Sequence, residues 1–134
     1  MKTNQGTRSS QEVFKSHLYF GKYGTVEEDL EKNYSSDLVV LTGWGVFHGY
    51  DGMRQLAKLL REQLPDATFE YHTTLVEGEY AFLEWTGTSK KAIVRDGADS
   101  FVIRDGRIIA QTIHYTVEPL GEESVQPGSE SKDS

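Results

Sequence analysis

An α+β domain, helices first and an antiparallel sheet after, is the fold class this sequence predicts. Three observations carry it. Up to Pro65 the clearest segments repeat their apolar residues at helical spacing. From Thr68 onward apolar and polar residues alternate with period two. Glu77-Gly78, Asp96-Gly97 and Asp105-Gly106 punctuate that second part as hairpin turns do.

The elements follow in order. Within Gln11–Tyr23, the residues Val13, Phe14, His17, Leu18 and Gly21 keep 3.6-residue spacing, and Gly21 and Gly24 break the run. Thr25 with Glu28 three residues on forms a capping-box pattern that opens a short acidic helix to about Asn33. Leu38-Val39-Val40-Leu41 reads as a buried strand, followed by the turn-prone Thr42-Gly43-Trp44-Gly45. Between Asp51 and Gln63, Met53, Leu56, Ala57, Leu60 and Leu64 make one apolar stripe, which Pro65 stops. Thr68–Val76, Tyr80–Thr88, Lys91–Arg95, Ser100–Arg104 and Arg107–Val117 are the expected strands. A two-residue turn at Asp105-Gly106 pairs Phe101 with Ala110 and sets Asp99 and His114 on one face as diagonal neighbours. A turn at Glu77-Gly78 pairs His72 with Leu83 and Glu70 with Trp85. A slip of one residue would reverse these faces.

Composition bounds the function. The chain has 134 residues and no cysteine, so one domain with its own core is expected, without disulfides, thiol nucleophile or cysteine-bearing metal site. Twenty-one acidic residues against 14 basic ones give a net charge of −7, which argues against a nucleic-acid partner. No apolar run reaches the ~18 residues of a membrane span, and the polar N-terminus has no signal-peptide core. The expectation is a soluble cytoplasmic protein with no membrane partner. From Glu118 to Ser134 five acids stand against one base, Lys132, so this stretch holds −4 of the −7. Residues 118–134 are therefore read as an acidic disordered tail, 1–9 as a flexible N-terminus, and 10–117 as the domain.

Four stretches together resemble the nuclear transport factor 2-like superfamily, in particular its SnoaL-like branch. They are Glu27-Glu28-Asp29-Leu30 with Asp37-Leu38-Val39-Val40, then Phe47-His48-Gly49-Tyr50-Asp51-Gly52-Met53, then Glu77 through Trp85, and Asp99 through Ile108. The resemblance covers roughly residues 11 to 117. It implies a cone-shaped, strongly curved antiparallel sheet packed against N-terminal helices (a cystatin-like α+β barrel), with a pocket between the two. It also implies a homodimer, for which Tyr80, Phe82 and Tyr115 supply an outer face. The superfamily spans isomerases, polyketide cyclases, dehydratases, epoxide hydrolases and non-catalytic domains. SnoaL-type cyclases carry a tryptophan and a carboxylate on the last strand; here it reads Thr112-Ile113-His114-Tyr115, with no acid before Glu118.

The resemblance places Asp99 at a pocket carboxylate. Burial would raise its pKa and suit it to general acid–base work. The plainer alternative has Asp99 capping the Asp96-Gly97 loop through backbone amides. His114 would orient it or relay its proton, or else sit hydrogen-bonded on a sheet surface. Trp85, Trp44, Tyr71, His72, Phe47 and Tyr19 are the candidate pocket wall for a small hydrophobic substrate. The four histidines show neither H-x-H nor H-E-x-x-H spacing, so no metal and no cofactor is expected. Gly43 to Gly49 misses the dinucleotide pattern by one residue, and Asn33-Tyr34-Ser35 is a sequon left idle without a secretory signal. Two functions remain: a cofactor-independent isomerase, cyclase, dehydratase or hydrolase, and a non-catalytic ligand-binding or homodimeric assembly module. A scaffold whose tail recruits partners is a third.

Overall fold

A computed structural model of the protein describes residues 7–121. Helices α1 (Ser10–Tyr23) and α2 (Val26–Asn33) both open on capping boxes. Thr25 and Glu28 form the expected one, and Ser9 and Glu12 form a second. Each such cap contributes on the order of 1 kcal/mol by satisfying amides the helix cannot. Order thus begins inside the segment expected to be loose. Arg8 adds to it by donating to the Asn33 side chain and to the carbonyls of Lys32 and Gly106. The tail expected to be disordered lies outside the described residues beyond Gly121. Before that point Glu118–Pro119 forms a short strand.

Strands β1 (Tyr34–Thr42) and β2 (Gly45–His48) make a hairpin that leads into α3 (Gly49–Gln63). The apolar stripe of α3 buries Met53 and Leu56, with Leu64 buried at its C-cap and Pro65 barring continuation. Then come β3 (Thr68–Glu77), β4 (Tyr80–Thr88), β5 (Ala92–Arg104), β6 (Arg107–His114) and β7 (Glu118–Pro119). The strand order is β2-β1-β6-β5-β4-β3, with β7 added to β5. Every pairing is antiparallel except β1 with β6, which is parallel, so the sheet is mixed.

The sheet curves because its register is interrupted. An extra residue stands in β3 at His72 and another in β6 at Ile109, while β5 carries two residues against one of β4 between Gly97 and Val94. Each bulge bends its strand and exchanges the faces of the residues beyond it. Asp105-Gly106 is the expected turn, with φ of 52° and 78°, the positive pair that suits a hairpin's twist. The other turn sits one residue later than expected, at Gly78-Glu79, and pairs Glu77 with Tyr80. No turn forms at Asp96-Gly97. Gly97 instead lies flat against the Trp85 indole, where any Cβ would overlap the ring, so the strands expected at Lys91–Arg95 and Ser100–Arg104 merge into one that begins at Ala92.

The two faces of the sheet differ. The inner face buries Leu38, Val40, Leu83, Phe101, Ile103 and Ile108 beneath the helices' Val13, Phe14 and Leu30. Phe14 meets Phe101 edge to face at 5.3 Å, and each such burial is worth roughly 1.5–3 kcal/mol. The outer face leaves Leu41, Leu75 and Tyr80 exposed. Asn33, the sequon asparagine, is fully buried.

Candidate acid–base site beneath the helices

Asp99 lies on the inner face of β5, only 8% exposed. Its register position explains its partners. Trp85 is opposite Gly97 on one flanking strand and Gln111 is opposite Phe101 on the other, so both are diagonal neighbours of Asp99. Trp85 Nε1 donates to Asp99 Oδ1 at 2.9 Å, and Gln111 Nε2 donates to Oδ2 at 3.1 Å. The Tyr34 hydroxyl donates to Gln111 Oε1 at 2.5 Å, which fixes the way the amide points. Tyr50 in turn donates to the Tyr34 carbonyl.

The helices bring a second acid and a histidine over this face. His17 Nδ1 of α1 lies 2.7 Å from Asp29 Oδ2 of α2. Asn33 donates to the other Asp29 oxygen at 2.8 Å, and Arg8 donates to Asn33. The His17 ring packs edge to face on Phe101 and Tyr34, at 5.1 and 5.7 Å. The array therefore runs from Arg8 at the surface, through Asn33, Asp29 and His17, down to the sheet beside Asp99.

Its electrostatics follow from burial. Loss of water pushes the Asp99 carboxyl up to about 6, against the pull of the Trp85 bond, the His17 charge and the Gln111 bond. Burial works against a charge on His17, but the charge and hydrogen bond of Asp29, with Asp99 beyond, outweigh it and raise its pKa. Burial likewise lifts the Tyr71 and Tyr115 phenols to about 12, so both stay neutral donors. A carboxyl that titrates near neutrality, with each oxygen held by one donor and a second lone pair left over, can accept and return a proton.

The expected residues divide. Trp85 and Asp99 meet as described, and Tyr71 joins them on the inner face, opposite Trp85, its hydroxyl bonded to the Leu18 carbonyl. Tyr115 is buried against Trp85, with ring centroids 5.6 Å apart, rather than on an outer dimer face. Trp44, 45% exposed at the β1–β2 turn, covers Tyr115 at 4.7 Å. Phe47 is half-buried and packs against the core.

Three placements need correction. His114 is not on the face of Asp99: the Ile109 bulge pairs it with Ala98 and turns it outward, 69% exposed and 3.4 Å from Asp96. His72 is the bulged residue of β3; it faces outward and bonds Thr86 at 2.9 Å. Tyr19 is 57% exposed among Phe20 and Tyr23, away from the sheet. Nor does Asp99 cap a loop; Asp96 takes that part by accepting from the amide and hydroxyl of Thr116. Sequence reasoning assigns no role in this site to His17, Asp29, Tyr34 or Gln111. The available signal was that His17 falls within the apolar stripe of its helix, and a polar residue kept on a buried stripe needs a partner.

Two surface hollows lie elsewhere. One of about 460 Å³ is apolar and opens on the outer face between Leu41, Leu75, Tyr80, Phe82 and Val102. The other, of about 500 Å³, is charged and lies around Arg8, Lys32 and Arg107. Neither is lined by Asp99. Among the described residues no group of three His, Asp or Glu could hold a metal ion, and no helix is long and apolar enough to cross a membrane.

Residues 24–111 match the SnoaL-like domain. Among solved structures, a protein of Agrobacterium tumefaciens strain C58, provisionally assigned as an isomerase of the SnoaL-like family, superimposes with a TM-score of 0.63 at 15% identity. That match covers 80% of this chain and 97% of the other. A Mesorhizobium loti protein provisionally assigned as a SnoaL-like polyketide cyclase gives 0.59 at 17% identity, over 81% and 100%. An NTF2-like protein of unknown function from Burkholderia xenovorans LB400 gives 0.66 at 14%, over 91% and 95%. No curated protein matches this sequence.

Proposed function

The chain belongs to the SnoaL-like domain family, and from that premise we propose that it is a cofactor-independent acid–base enzyme acting on a small, largely apolar molecule. Asp99 is the proton carrier. The observation that carries this reading is a deeply buried carboxyl raised to about 6, gripped by Trp85 and Gln111. Such a group can take a proton from one position of a substrate and return it to another, as isomerisation, cyclisation or dehydration requires. Trp85, Tyr71 and Tyr115 form the apolar wall, and Trp44 stands at its rim. The names given to the Agrobacterium and Mesorhizobium proteins agree with this class of chemistry. Hydrophobic carbonyls, lactones, epoxides and sterols, screened by thermal shift, should raise the melting temperature, and Trp85→Ala should remove the shift. Turnover of the best ligand should vanish in Asp99→Asn with the fold retained; unchanged turnover refutes the role.

The near closure of the site favours a second reading, a non-catalytic binding module, since Asp99, Trp85 and Gln111 are each at most 8% exposed. A ligand that shifts the melting temperature and is recovered unchanged would decide for it. In either case the outer apolar face, with Tyr80 and Phe82, suits a homodimer contact. Sedimentation of the wild type against Tyr80→Glu tests that, and a wild-type monomer would refute it.

A further inference from the structure

The histidine above Asp99 has one nitrogen committed and one spare. His17 Nδ1 is tied to Asp29, yet Nε2 has no hydrogen-bond partner among the described residues. Nδ1 and Nε2 point to different sides of the ring, so anchoring the first on Asp29 turns the second away from it. The ring is walled by Phe101 and Tyr34. An idle polar nitrogen in such surroundings is costly unless something meets it. The His17 and Asp29 side chains are only 14% and 10% exposed, so water does little to satisfy the idle nitrogen.

We propose that His17 Nε2 is the polar contact for bound ligand, meeting one oxygen atom of an otherwise apolar molecule that lies against Asp99. This rests on reading the Asp99 region as a small-molecule site. Asp29 is the positioning residue: by accepting from Nδ1 it fixes the ring's orientation and tautomer, and Asn33 and Arg8 hold Asp29 in turn. The groups facing the ring are Asp29 from α2, Tyr34 from β1 and Asp99 from β5. Tyr34 stays neutral because burial lifts its phenol well above its ordinary value. The two acids favour the imidazolium, in which Nε2 carries a proton and seeks an acceptor oxygen, such as a carbonyl. Above the His17 pKa the same atom presents a lone pair, and the preference for a carbonyl is lost.

The test uses the full chain and two probes of one skeleton, 2-tetralone and tetralin, titrated by calorimetry at pH 6 and pH 9. The wild type should prefer the ketone by roughly tenfold or more at pH 6, the effect of one hydrogen bond to a charged group, and by much less at pH 9. His17→Phe keeps a ring and should bind both probes alike, with tetralin affinity little changed. His17→Gln serves if the phenylalanine variant does not fold, and should lose the pH dependence. Equal binding of both probes by the wild type overturns the inference, as does binding of neither, or a ketone preference that survives in His17→Phe. A ligand-free check is the ring ¹⁵N spectrum: Nδ1 should hold its proton while Nε2 titrates above 6.5, and a bare Nδ1 overturns the inference. The two readings fail separately. Turnover retained in Asp99→Asn removes the enzyme and leaves the His17 contact standing; turnover lost there with the preference intact in His17→Phe removes only the contact.

Discussion

The two faces of one sheet have opposite chemistry. Beneath the helices, Asp99, Gln111, Tyr34 and Trp85 are buried together with their polar groups bonded to one another. On the other side Leu41, Leu75, Val46 and Tyr80 are each at least half exposed, and the hollow that Leu41, Leu75 and Tyr80 border is apolar. Burying polar groups costs free energy unless they are hydrogen-bonded, and exposing large apolar side chains forfeits the gain of burying them. Both faces therefore carry a cost: the inner one holds a hydrogen-bonded polar cluster within an apolar core, and the outer one leaves large apolar side chains in water.

The comparison can be broken hardest at Trp85. Trp85→Ala should lower stability by about 3–5 kcal/mol in denaturant titration, because it empties the volume between Phe69 and Tyr115 and takes a donor from Asp99. The pH profile comes next. Asp99 has a raised pKa in the fold, so its contribution is complete below its ordinary pKa near 3.8 and is lost as pH rises to about 6. Two units at ~1.36 kcal/mol each make this loss about 3 kcal/mol, to be read as the difference between wild type and Asp99→Asn. His17 is also raised, so its contribution holds up to 6.5 and fades above that. His17→Gln should flatten the upper step alone. Gly97→Ala should cost about 1–3 kcal/mol and shift the Trp85 fluorescence, since the new methyl displaces the indole from Asp99. Smallest is Leu75→Lys on the outer face. It should leave monomer stability within about 0.5 kcal/mol while weakening self-association, and a large loss of stability would mean that this face is part of the core.

What could be read from the sequence was what depends on local chemistry. The capping box at Thr25, the stripe of α3 and the Asp105-Gly106 turn each lie within a few residues of their cause. Asp99 shares the inner face with Phe101 and Ile103, as alternation within one strand predicts. What could not be read was parity. A period-two argument assumes an unbroken ladder, and the bulges at His72 and Ile109 break it, so His114 leaves the face of Asp99 that alternation predicts for it, and Gln111 turns inward. Gly97 looked like a turn because its reason, the Trp85 ring, lies on another strand. His17 and Asp29 are 12 residues apart on different helices, and only the packing of α1 on α2 makes them partners.

The extra residue at Ile109 also bears on how distant relatives are compared. Whether Gln111 or Thr112 lines the inner face depends on one backbone insertion rather than on any side chain. An alignment at 14–17% identity that sets its gap on the wrong side of this point would match inward residues of one protein to outward residues of another. For this strand, site residues can be carried between family members only after structures have been superimposed. In descent the same feature works as a single step: gain or loss of one codon there would exchange every residue that the end of the strand turns inward.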